Sequence, residues 1–416
     1  MRGVGRAATR GGTPGSACRR VFWNFRHSRT ASQAEERQFA VKVLLFANTD
    51  WYLFNFRQSL ARALRDAGHD VLLVSPDGTY GEKLRELGYR WEPAPMVRRS
   101  LNPWREYALV QWLRRLIARE QVDLVHGFTI KCAVYGSIAA RLAGVPARVN
   151  AVAGMGYVFT SNAPRALVLR PVIRRLFRYA LDGEGALLIL QNPDDAALFA
   201  RARLVTPDKV RLIPGSGVDC SRFTPADGNR AAGRFRVVLP ARLLWDKGVA
   251  EYVEAARILR DRGVPVDFLL AGEPDPGNPA AVPEHVVRGW VDDGLVQWLG
   301  HVKDMPGLFH SVDAVVLPSY REGLPKGLVE AAACALPLVT TDVPGCREVV
   351  THGEDGLLVP VKNGPALAEA IARLQADPAL CRRLGEAARD KALAQFEERS
   401  VIERTLGVYR ELIPGI

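Results

Sequence analysis

The chain has 416 residues, 48% hydrophobic and 24% charged, with a formal net charge of +11. That length exceeds one small domain and predicts two of average size. No apolar run reaches the roughly 18 residues that a membrane span needs.

The charge is unevenly placed: residues 1–40 carry a net +6, residues 41–210 a net +9, and residues 211–416 a net −4. A basic first half joined to a mildly acidic second half points to an anionic partner for the first half alone. Nucleic acid, an anionic leaflet or a phosphate-bearing acceptor would each answer. The six cysteines (18, 132, 220, 334, 346 and 381) are scattered without CxxC or metal-ligand spacing and read as reduced, mostly buried thiols of a cytosolic protein.

Residues 1–40 are rich in Arg and Gly and have no apolar h-region, so they read as a tail or an upstream start rather than a secretory signal. From Val41 the chain alternates strand and helix: VKVLLFA, then NFRQSLARALRDAGH, then DVLLVSP, then GEKLRELGY. EYALVQWLRRLIARE, VDLVHGF, VYGSIAARLAG and ARVNAVAG continue the rhythm. Such alternation predicts an α/β first domain over 41–214, with a parallel sheet covered on both faces. Gly, Pro and Asp then mark an interdomain linker over 215–233. FRVVLPARLL, VDFLLAG, VQWLGHV, DAVVLPS, LPLVTTD and DGLLVP supply the strands of a second doubly wound domain over 234–395, and 396–416 forms a last helix that can return to the first domain. Two Rossmann-like domains place a ligand in the cleft outside the carboxyl ends of their strands.

Two stretches carry the chemistry. In LPARLLWDKG, a strand feeds a loop holding Arg242 and Lys247, and Gly248 precedes a helix. Two cations beside a helix N-terminus suit a diphosphate, although each alone reads equally well as a surface charge. In SYREGLPKGLVEA, Glu322 and Glu330 bracket a turn that runs into a helix. There the backbone N–H groups from Gly323 through Leu324, Pro325 and Lys326 to Gly327, proline excepted, are open to an anion or a hydroxyl. A carboxylate holds vicinal hydroxyls by accepting two hydrogen bonds, so the two acids suit a ribose and a hexose, although either alone reads as a solvated helix-end glutamate. His126, at the end of VDLVH, faces the cleft in one register and is structural in the other. No D-x-D pair occurs, and no metal is called for.

Together these stretches resemble glycosyltransferase family 4, retaining enzymes of the GT-B fold, from about Val41 to Tyr409. The resemblance implies that Arg242 and Lys247 bind the donor diphosphate, that Glu322 contacts the donor sugar and that Glu330 binds the ribose. It also implies that backbone near Val302, in GHVKDMPGLFHSVDAVVLPS, meets the base. IPGSGVDCSRF is similar to the family's hinge. NTDWYLFNFRQSLARAL, DLVHGFTIKCAVYGSIAARLAG and AVAGMGYVFTS resemble the branch that extends undecaprenyl-diphosphate-linked sugars, the bacillosamine-lipid N-acetylgalactosaminyltransferase among them. Two departures stand out. Asn48 and Thr49 replace a Gly-Gly turn after the first strand, and Ala153-Gly154 replaces a His after ARVNAVAG, so no catalytic His is carried over. Gly154 and Gly156 let backbone approach a substrate.

The resemblance implies a hexosyl- or N-acetylhexosaminyltransferase using a UDP-sugar or other nucleotide-sugar, with no cofactor. Its acceptor would be a polyprenyl-diphosphate-linked sugar in surface-glycan assembly, at the cytoplasmic face of the inner membrane. A non-hydrolysing UDP-sugar 2-epimerase-like isomerase or a non-catalytic nucleotide-sugar-binding protein are the alternatives. PRALVLRPVIRRLFRYAL, with arginines at 165, 170, 174, 175 and 178, reads either as a helix lying on an anionic leaflet or as a solvated basic face. The tryptophans of NPWREYALVQWLRRL are membrane anchors or core.

Overall fold

A computed structural model of the full chain describes residues 40–98, 100, 102–152, 164–226 and 233–416. The chain divides into Met1–Ala40 and a compact unit, Val41–Ile416, which holds the fold. Gly154, Gly156 and the side chains of arginines 165 and 170 lie outside the described residues.

Seven parallel strands form the first sheet: β1 (Lys42–Phe46), β2 (Asp70–Ser75), β3 (Arg90–Pro93), β4 (Leu124–Phe128), β5 (Ala147–Val152), β6 (Ala186–Leu190) and β7 (Val210–Leu212). Their spatial order is β3-β2-β1-β4-β5-β6-β7. Every residue of β4, β5 and β6 is buried, the mark of a sheet covered on both faces; β6 is an unbroken apolar run, whereas β4 carries His126 and β5 carries Arg148 and Asn150. The order reverses between β1 and β4, which opens a crevice at their carboxyl ends.

One helical run was expected across NFRQSLARALRDAGH; the structure has two helices, Asp50–Phe56 and Gln58–Asp66. Arg57 breaks them with φ −130° and ψ 0°. The first starts early because Thr49 caps it, its hydroxyl accepting from the Tyr52 N–H at 3.1 Å.

The second sheet has six parallel strands: β8 (Phe235–Pro240), β9 (Val266–Ala271), β10 (Gln297–Gly300), β11 (Ala314–Leu317), β12 (Leu338–Thr341) and β13 (Leu357–Val359). Its order is β10-β9-β8-β11-β12-β13, with the reversal between β8 and β11. The final helix, Glu398–Arg410, does not stay with this sheet. The Val218 N–H donates to Phe396 O at 2.8 Å and the Glu398 N–H to Val218 O at 2.9 Å, which hands the chain back across the hinge. Val401, Val408 and Tyr409 then bury themselves in the core of the first half. Cys132, Cys220, Cys334, Cys346 and Cys381 are free thiols, and burial pushes Cys132 up to about 12.

Candidate active site

Lys247 and Glu322 are brought together from two loops. Lys247 ends a short turn after β8, and Glu322 follows β11, the adjacent strand. Lys247 Nζ donates to Glu322 Oε1 at 2.5 Å, and Ser319 Oγ donates to the same oxygen at 2.7 Å. Both charged side chains are largely covered, at 18% and 12% exposure. Arg242 lies on the same loop as Lys247 but reaches outward, pairing with Asp275 at 2.6 Å. Each cation thus rests on its own acid, and an incoming anion would exchange one partner for another.

Two glycines make this meeting possible. Gly248 adopts φ +73°, and a Cβ there would lie 2.1 Å from Pro318 O, so only glycine lets the β8 loop approach the end of β11. On the other side Gly345, at φ +83°, would place a Cβ 2.5 Å from Glu322 O. The Glu322 N–H donates to Pro344 O at 3.1 Å. The helix Val249–Asp261 begins at Gly248 without a side-chain cap. Its first N–H groups have no acceptor within the helix.

The first half also holds this loop. Asn192 Nδ2 donates to Gly323 O at 2.9 Å, while its Oδ1 caps the Pro193–Arg201 helix by accepting from the Asp195 N–H at 2.7 Å. Arg321 pairs with the fully buried Asp195. Asn192, Asp195, Ser319 and Gly345 were not singled out from sequence. Asn-Pro-Asp-Asp is a readable helix start, but its partner 131 residues away is not readable.

Pro325 precedes the helix Lys326–Ala333, which carries Glu330 one turn in. Lys326 Nζ stands 3.7 Å from Glu330 Oε1. Burial raises the Glu330 carboxyl, against the pull of Lys326 and Arg222, and burial lowers the Lys326 ammonium. Leu324 and Lys326 face a cavity of about 180 Å³ between the halves, with Tyr52, Phe56 and Arg57 opposite. Val302 is half-buried in the turn after β10. Asn48 is half-buried beside Thr49, whose hydroxyl is committed to its cap.

The cleft-facing register considered for His126 is corrected. It is 1% exposed, its Nδ1 lies 2.5 Å from Tyr409 Oη, and its ring packs on Phe128 at 4.0 Å. The returning C-terminal helix covers it. Burial first, and the Arg57 charge second, hold the ring well below the ordinary histidine range.

Residues 234–377 match the family model described as glycosyl transferases group 1, and residues 42–192 match the one described as glycosyl transferase 4-like. The chain belongs to the group 1 glycosyltransferases. It is 28% identical to the N,N'-diacetylbacillosaminyl-diphospho-undecaprenol alpha-1,3-N-acetylgalactosaminyltransferase of Campylobacter jejuni, over 88% of this chain and 97% of that one. It is 26% identical to the UDP-Gal:alpha-D-GlcNAc-diphosphoundecaprenol alpha-1,3-galactosyltransferase of Escherichia coli, over 77% and 83%. The fold superposes on Anabaena Alr3699/HepE, solved in complex with UDP-glucose, with a TM-score of 0.71 at 20% identity, over 89% of this chain and all of that one. The two facing parallel sheets are those of a GT-B glycosyltransferase.

In this glycosyltransferase, then, Lys247 and Glu322 meet at the carboxyl ends of β8 and β11, Arg242 shares the Lys247 loop, and Glu330 sits one turn into the helix that follows Glu322. Uncapped amides of the Val249–Asp261 and Lys326–Ala333 helices lie beside them. Such a set can stabilise a departing anion and fix the hydroxyls of a sugar in one pose.

Proposed function

We propose that this glycosyltransferase is a retaining enzyme that moves a hexose or N-acetylhexosamine from a UDP-sugar to a polyprenyl-diphosphate-linked sugar during surface-glycan assembly. The Lys247–Glu322 contact is the observation that carries the reading of the donor site. On this reading Lys247 releases Glu322 when the donor enters, and Lys247, Arg242 and the helix amides take the diphosphate. Glu322 accepts from hydroxyls of the transferred sugar, Glu330 from the ribose, and backbone at Val302 meets the base. The charge that develops on the leaving diphosphate is met by fixed cations and dipoles, so no metal is invoked. The acceptor hydroxyl attacks from the face the diphosphate leaves, and a phosphate oxygen takes its proton. The named relatives support a lipid-diphosphate acceptor.

The reading extends to the membrane. The helix Pro164–Leu181 exposes Arg174, Arg175 and Arg178 beside Val172, 66% exposed, and Tyr179, 45% exposed. The helix Pro103–Glu120 exposes Trp104 at 80%, whereas Trp112 packs into the core. Both helices pack on the one spanning Ile130–Leu142. Among the described residues no helix is long and apolar enough to cross a membrane. A basic, aromatic-edged face suits an anionic leaflet, which lets the enzyme meet its acceptor at the cytoplasmic surface.

The test is UDP or GDP release by purified protein across a panel of nucleotide-sugars, with and without a short polyprenyl-diphosphate-linked N-acetylated sugar. Release from one UDP-sugar, dependent on that acceptor, is expected. Conversion of a UDP-sugar without any acceptor would instead support the epimerase-like alternative.

A further inference from the structure

Among the described residues no carboxylate pairs with Arg57, which is 6% exposed. One terminal nitrogen donates to Tyr52 Oη at 2.8 Å, and the guanidinium lies 4.3 Å from the Phe128 ring centre. Its Nε is buried without a hydrogen-bond partner. Fully buried arginines are almost always paired, because an uncompensated charge in the interior is costly. The side chain also lines the 180 Å³ cavity, on the wall opposite Lys326.

Arg57 is delivered there by the break between the Asp50–Phe56 and Gln58–Asp66 helices. Across the cavity Lys326 Nζ sits 4.4 Å from the Phe56 ring centre and 3.4 Å from Asn55 O. Its nearby acid is Glu330 at 3.7 Å, and Glu398 is the next charge to act on it. Gly215 and Gly217 of the hinge complete the rim, both with positive φ. Neither Arg242 nor Lys247 lines this cavity. Arg57 and Lys326 thus stand apart from the Arg242 and Lys247 loop.

We infer that Arg57 and Lys326 form a second phosphate site, on the acceptor side of the cleft, which takes the diphosphate of the acceptor. The inference rests on the acceptor class proposed above. A buried guanidinium with no carboxylate partner and an unsatisfied Nε suits a phosphate, and Lys326 adds a point charge from the opposite half. Because the site draws on both halves, its ligand closes it, and the acceptor's sugar is positioned near Glu322, four residues before Lys326.

Titration of the full chain with inorganic diphosphate, in the presence of excess UDP, tests the site without turnover. One diphosphate is expected per chain beyond the UDP. Arg57→Gln should weaken it at least tenfold and leave UDP affinity unchanged, and Lys326→Met should weaken it too. Wild type that takes up no diphosphate, or an Arg57→Gln protein that binds it as tightly, overturns the inference. Transfer kinetics supply the second arm. Arg57→Gln should raise KM for the polyprenyl-diphosphate-linked sugar and leave KM for the phosphate-free glycoside of that sugar unchanged. Equal loss on both glycosides would make Arg57 a merely structural residue. Arg57→Met guards against misfolding: a functional, unpaired arginine predicts a melting temperature equal to or above wild type without ligand, a structural one a lower value. Failure of the wild type to use any acceptor would remove the proposed acceptor class, whereas the titration would still decide the anion site.

Discussion

Lys247 and Glu322 meet at 2.5 Å although 75 residues separate them in the chain. Gly248 and Gly345 enforce the meeting by admitting backbone carbonyls where a Cβ would clash. The pair neutralises a mostly covered cation and anion against each other.

Replacing Glu322 by Gln removes the charge that opposes Lys247 and weakens the hold on the sugar's hydroxyls. kcat is expected to fall by about a hundredfold, the order seen when one preorganised polar contact to a transition state is lost. UDP affinity should stay within a few-fold. Steady-state kinetics with a parallel UDP titration check the split, and unchanged kcat contradicts it.

Glu330 should act on affinity instead. Its raised carboxyl means the folded state favours protonation, so UDP affinity should decline as pH falls through a midpoint above the usual glutamate range. Glu330→Gln should bind UDP about tenfold more weakly, with no such decline, since a charge-assisted hydrogen bond is lost. The same sign applies to stability: the ionised acid is costly in the fold, so Glu330→Gln should melt no lower than wild type at pH 8 and lose any advantage in acid.

His126 sets an acid limit on stability. Its folded pKa lies below the unfolded value, so its contribution is complete above about pH 6.5 and is lost as pH falls below it. The loss approaches about 1.4 kcal/mol per pH unit, one proton taken up on unfolding. His126→Phe should flatten this limb while giving up the bond to Tyr409. Urea midpoints from pH 5 to 8 for both proteins measure it; parallel curves would contradict the buried, neutral ring.

Membrane attachment is predicted to be electrostatic first and aromatic second. Changing Arg174, Arg175 and Arg178 to Gln should lower binding to anionic vesicles by about 3 kcal/mol, roughly a hundredfold. Turnover of a short soluble acceptor should not change. Trp104→Ala should weaken binding in a salt-independent way. Flotation of wild type with purely zwitterionic vesicles only, or with none, would refute the assignment.

Much of the fold was legible, because parallel strands buried on both faces leave continuous apolar runs such as VLLF and AVVL. β3 and β7, four and three residues at the sheet's edges, leave almost no pattern. The break at Arg57 is hidden inside an otherwise helical period. In the site, Arg242, Lys247, Glu322 and Glu330 were legible through the resemblance of their two stretches to glycosyltransferase family 4, since each alone reads as well as a surface charge. Ser319, Gly345 and Asn192 did not, since each acts through a contact made only by the folded chain. His126 shows the limit best. A strand-end histidine faces the cleft only where nothing covers it, and the covering residue, Tyr409, lies 283 positions away.

The most direct measurement is the product formed from the preferred UDP-sugar and a short polyprenyl-diphosphate-linked N-acetylated sugar, followed by NMR and mass spectrometry. The account predicts one added sugar per UDP released, joined with the donor's anomeric configuration retained, and formed far more slowly by Glu322→Gln. An inverted linkage, or a UDP-sugar altered while the acceptor remains unextended, would contradict it.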